Sequence, residues 1–308
     1  MKILILKKKF LINTVFYIEL IVFSILIIHF FYDNTNSRQT ISPININQTM
    51  QVDLTGDGKK EHLQLLNTQN KIDFNIISSS NNFYLSDSID DKMLFTNNNH
   101  WEPKVFLNDI SRDNIPELII QGSKNDKPIS YLFHWNKKNF DLLYSSSNNI
   151  LGILDSKNSK TPQCYSISSS EGLASLNSFM LLNDVTLDTT KDNLNIPSFD
   201  SVTKFIDLVQ LPYIFDDLPD IFASTIDKKD LSLLWNLDKD NYSYSFQNGF
   251  FYDYKWNESY EPSSLRWRLS FEKSSFKGSQ NDKNEFILLL DLEKYNASYK
   301  INSIQKIK

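Results

Sequence analysis

A nine-residue loop frame that occurs twice restricts the fold of this chain more than any other feature. In the first copy, Asp53-Leu54-Thr55-Gly56-Asp57-Gly58-Lys59-Lys60-Glu61 sets oxygen-bearing side chains at relative positions 1, 3, 5 and 9. The second copy begins 56 residues later as Asp109-Ile110-Ser111-Arg112-Asp113-Asn114-Ile115-Pro116-Glu117. Each copy runs into apolar residues (62–66 and 118–120) and then into further strand-like segments at 71–77 and 104–107, and at 129–135 and 140–145. That spacing suits one small antiparallel sheet per repeat.

Alternating residues of a tight loop can converge on a hard cation if the chain turns sharply at position 6. Gly58 and Asn114, residues that tolerate left-handed backbone, stand there. The candidate calcium ligands are therefore Asp53, Thr55, Asp57, the Lys59 carbonyl and Glu61, with Asp109, Ser111, Asp113, the Ile115 carbonyl and Glu117 in the second loop. Position 12 holds Gln64 or Ile120 where an EF-hand needs glutamate, so these are loop-to-strand units. Such an ion would be structural. The same residues also suit polar turns in which Asp side chains accept from nearby backbone N–H groups. A third, eroded copy is expected from Asp155, after the 150–154 run, with too few oxygens for an ion.

These D-x-T-G-D-G-x-x-E and D-x-S-x-D-x-x-P-E-L-I stretches resemble FG-GAP/VCBS-type repeats of integrin-like β-propellers. The resemblance spans about residues 48–185 and implies four-stranded blades with calcium in inter-strand loops, in proteins that mostly bind or scaffold. Thr55 and Ser111 replace the usual acidic or amide residue, and Lys59, Lys60 and Arg112 add positive charge. Two or three units fall short of a closed propeller, so an open, propeller-blade-like stack is expected.

Ahead of the repeats, residues 10–32 form an apolar run of 23, long enough as a helix to cross a bilayer, with Lys7, Lys8 and Lys9 just before it. The reading is a single-pass signal anchor: a cytoplasmic basic tail at 1–9, a transmembrane helix at 10–32, a linker at 33–47 and an extracytoplasmic body. Net charge is −5; Lys2, Lys7, Lys8 and Lys9 against Glu19 make the first 32 residues +3, leaving −8 beyond them. An acidic body without a basic stripe argues against nucleic acid as a partner.

A linker is expected at 186–197 and an α+β domain at 198–308. Ser198 can cap a helix whose apolar face is Phe199, Val202, Phe205, Ile206 and Val209; a second helix is expected near 228–237. Four antiparallel strands follow, at 242–256, 264–273, 285–294 and 298–307. Aromatic residues from Tyr242 to Trp256 could line a small-molecule pocket or fill the core.

No catalytic signature is present. His62, His100 and His134 are scattered, Cys164 is the single cysteine, and no nucleophile elbow or phosphate loop occurs. The expected role is therefore non-enzymatic: a membrane-anchored binding, adhesion or envelope-assembly protein with an unknown protein or glycan partner. The alternatives are a surface sensor or carrier for a small molecule, or an envelope hydrolase without a recognisable signature.

Overall fold

The computed structural model describes residues 50–307, apart from 69, 156–160, 183, 214–216, 278–282 and 297. Among these residues no helix is long and apolar enough to cross a membrane. The single-pass architecture therefore finds no support and is withdrawn, and the extracytoplasmic placement that rested on it goes too. The basic tail at 1–9, the 10–32 segment and the linker at 33–47 lie outside the described residues.

The first sheet contains β1 (Met50–Val52), β2 (Glu61–Thr68), β3 (Lys71–Ile77) and β4 (Asn82–Tyr84), in that order, with β5 (Phe95–Thr96) also paired to β3. The second is an antiparallel meander of β6 (Lys104–Asn108), β7 (Glu117–Lys124), β8 (Lys127–Trp135) and β9 (Phe140–Ser146). The recurrent loop joins β1 to β2 in one sheet and β6 to β7 in the other.

The third sheet overturns the expected domain plan. Its first meander is β10 (Ile150–Leu154), β11 (Gln163–Ile167), β12 (Asn177–Leu182) and β13 (Val185–Asp188). The C-terminal strands β14 (Tyr242–Trp256), β15 (Pro262–Ser275), β16 (Lys283–Tyr295) and β17 (Ser298–Ile307) join it, giving the order β13-β12-β11-β10-β14-β15-β16-β17. The joint is the parallel pairing of β10 with β14, where Gly152 stands opposite Phe251. Instead of a separate α+β domain, one eight-stranded sheet contains both the third repeat and the C-terminal strands; the expected linker at 186–197 begins inside β13, and only 189–197 lead from that strand towards the helices that cover the sheet.

Period-two alternation builds the layers. Val105, Leu118, Ile120, Tyr131 and Phe133 face the first sheet and pack on Leu63, Ile72, Phe74 and Phe95. Their neighbours Phe106, Ile119 and Leu132 face the third sheet and meet Leu151, Ile153, Phe179, Phe250 and Tyr252. β7 is thus buried on both faces. The far face of the third sheet, including Ile150, Phe251, Trp267, Leu269 and Leu290, is covered by α1 (Phe199–Gln210) and α2 (Lys228–Trp235), with Val202, Phe205, Val209 and Leu234 inward. The result is three stacked sheets and a helical cover.

Ser198 does not cap α1 with its side chain. Its φ of 72° is left-handed, and its hydroxyl accepts from Trp267 Nε1 at 2.9 Å. The N-cap of α2 is Asp227, whose carboxylate accepts from Lys229 N.

Candidate functional site

The two loops fold alike because the same four positions solve the same problem. Leu54 and Ile110, at position 2, are fully buried plugs. The glutamates at position 9 turn inward beneath them: Glu61 Oε2 accepts from Leu54 N at 2.7 Å and Glu117 Oε2 from Ile110 N at 2.6 Å. Position 6 is left-handed in both, Gly58 at φ 81° and Asn114 at 71°. Position 4 is left-handed as well, at Gly56 (73°) and Arg112 (65°), which the sequence pattern did not mark.

This geometry decides how each candidate ligand is used. Asp53 accepts from Gly56 N at 2.7 Å and Gly58 N at 2.9 Å; Thr55 Oγ1 donates to Glu61 Oε1; Asp57 accepts from Lys59 N. The first loop is therefore tied by its own N–H groups. In the second loop Asp113 accepts from Ile115 N, and Glu117 also accepts from Ser111 N. Asp109 Oδ1 and Ser111 Oγ, however, are buried without a hydrogen-bond partner. Burial, and then the neighbouring Glu117 charge, push the Asp109 carboxyl above its ordinary range. Among the described residues no three His, Cys, Asp or Glu side chains form a metal-holding group.

Glu117 has a further partner that sequence reasoning missed. His134, on β8, lies with Nδ1 at 3.0 Å from Glu117 Oε1 and Nε2 at 3.0 Å from Asp184 Oδ1. A neutral imidazole would point a lone pair at one carboxylate, so this geometry calls for the imidazolium. Accordingly the hydrogen bond to Glu117 raises the His134 pKa, outweighing its burial, with Asp184 adding to the effect. The relay connects the second loop to the turn that precedes β13.

At that turn the third sheet ends in an edge. Among the described strands, β13 is paired only with β12. The register sets Val185 opposite Leu182 and Leu187 opposite Met180, so four apolar side chains share one face. Val185 is 65% exposed and Leu187 49%. Asp184 and Asp188 bracket the strand, and Asp192 follows near Lys191. An open apolar edge of this kind is what most sheets cover or charge.

The aromatic residues of β14 do not line one pocket. Tyr244 lies in the core beneath the helices, whereas Phe250 and Tyr252 lie in the core between sheets, and Phe250 stacks on Phe106 at 3.8 Å between centroids. Cys164 is buried in that second core, and burial raises its thiol pKa well beyond the ordinary range. Comparison with protein-family models, curated proteins and solved structures gives no match to this chain. The likeness to FG-GAP/VCBS-type repeats thus rests on the loop residues alone.

Proposed function

We propose that this chain is a binding and assembly module that takes up an extended polypeptide segment by strand addition at β13. The observation that carries the reading is the combination of an edge strand paired on one side, an apolar strip of Met180, Leu182, Val185 and Leu187, and bracketing Asp184 and Asp188. Main-chain hydrogen bonds would give affinity and alternate side chains specificity. The acidic border disfavours a second copy of the same edge and favours a partner strand in which apolar residues alternate with Lys or Arg.

A blocked peptide alternating Val with Lys, titrated into isotope-labelled protein, is expected to shift amide resonances of β12 and β13. The Val/Glu peptide should not, and Leu187→Lys should weaken the effect roughly tenfold or more, the size of a lost contact joined by charge repulsion. Equal shifts from both peptides, or none, would sink the reading.

A second reading is favoured by the orphaned Asp109 Oδ1 and Ser111 Oγ. In it a calcium ion at the second loop stabilises the stack, held by these oxygens with water completing its shell. At about tenfold excess over its dissociation constant, calcium would add ~1.4 kcal/mol and raise the melting temperature by about 2–4 °C. Asp109→Asn should abolish that rise and Asp53→Asn should leave it. Identical melting in millimolar calcium and in chelator would remove the ion.

A further inference from the structure

Away from β13, the first and second sheets leave a cleft between two hairpin turns. One wall is the 78–81 turn between β3 and β4, where Ser78 N donates to Asn81 O at 2.9 Å and Asn81 N donates to Ser78 Oγ at 3.1 Å. The other is the 136–139 turn between β8 and β9, held by Asn136 Oδ1, which accepts from Lys138 N at 2.8 Å and Asn139 N at 2.7 Å. Each wall is fixed by its own bonds before any guest arrives, which lowers the ordering cost of binding.

Between the walls the floor is aromatic. Phe83 meets Trp135 edge-on at 5.2 Å between centroids and Phe140 at 5.7 Å, and Trp135 lies 4.9 Å from Phe140. Phe83 and Trp135 are only half-buried, and both line the cleft. It has two adjoining lobes of about 510 and 470 Å³, which share Asn81, Phe83 and Lys138. Both volumes fall within the range of about 300–1,000 Å³ typical of small-molecule sites.

The rim decides what fits. Among the described residues the side chains of Asn81, Asn82 and Lys138 form no hydrogen bond or ion pair, and all three are exposed. An amide both donates and accepts, as a hydroxyl does. The rim charges are of mixed sign, Lys137 and Lys138 against Asp57, Asp87 and Asp141. A phosphate would meet the carboxylates and an organic cation the ammonium groups, so neither is favoured.

We infer that this cleft binds an uncharged oligosaccharide. A sugar ring has an apolar C–H face to lie on Phe83 or Trp135 and a rim of hydroxyls for Asn81, Asn82 and Lys138. Two lobes with a shared waist call for at least two linked sugar units. The cleft belongs to the first and second sheets and the β13 edge to the third, so the inference does not rest on strand addition.

Linear tetrasaccharides of glucose, of mannose and of N-acetylglucosamine, each titrated into the isotope-labelled full chain, test the site. At least one should saturate with a Kd of about 1 mM or tighter and shift amides within 78–84 and 136–141. Asn81→Ala and Lys138→Ala replace exposed side chains that the turns do not use, and each should weaken binding about fivefold or more, the size of one lost hydrogen bond. Inorganic phosphate at the same concentration should leave those amides unmoved. Absence of a saturable shift with all three sugars would overturn the inference, as would phosphate moving the same amides or binding that neither variant weakens.

Discussion

Replacing His134 by leucine is expected to cost about 3–5 kcal/mol, the cost of removing one partner from a buried ion pair. The loss comes from Glu117, which is 1% exposed and keeps its bonds to Ile110 N and Ser111 N but loses its counter-ion. Asp184 lies in water on the other side of the ring and contributes little. Denaturant unfolding of His134→Leu, Glu117→Gln and the double variant checks this, since the double variant should recover part of the loss. The same pair sets a pH dependence. His134 has its pKa raised in the fold above the ordinary 6.5, so its stabilisation is complete below that value and fades as pH rises through the raised one. The stability gap between the natural sequence and His134→Gln should therefore shrink as pH rises above about 6.5 and passes through the raised pKa. A gap that widens in that range would mean that the histidine is held neutral.

Gly152→Ala should destabilise by about 1–3 kcal/mol or more, the ordinary range for overpacking a core. An added Cβ would stand 2.1 Å from Phe251 Cε1, and Phe251 has little room to yield because its ring stacks on Trp267 at 4.4 Å. Glycine is required here by close approach. Phe251→Leu combined with Gly152→Ala should restore part of the loss in a double-mutant cycle. Additive losses would show that the two residues do not meet.

The loops were legible in the sequence as loops, and the bonding of their carboxylates to backbone N–H groups was one of the two readings the residues offered. A carboxylate placed to ligate an ion is also placed to accept backbone N–H groups, and Asp53 and Glu61 do the second. Strands and helices were visible from local period, including the helix Phe199–Gln210 and the C-terminal strands. Their assembly was not. The 150–154 run is apolar on both faces, which suits any central strand, and nothing in it names a partner beginning at Tyr242. His134 was passed over because neither of its carboxylates is a sequence neighbour at helical or turn spacing. The ion pairs of Glu285 with Lys104 and Arg268 escaped notice for the same reason.

The third meander, which ends in the proposed docking edge, shares one sheet with the C-terminal strands, and the β10–β14 joint is where that sharing can be measured. Amide hydrogen exchange at Ile150–Ile153 and Gly249–Tyr252 reads it directly. Both segments should open with the same free energy, and Gly152→Ala should lower both together. Loss of protection in β10–β13 while β14–β17 remain protected would show two independent bodies, and the shared sheet would have to be abandoned.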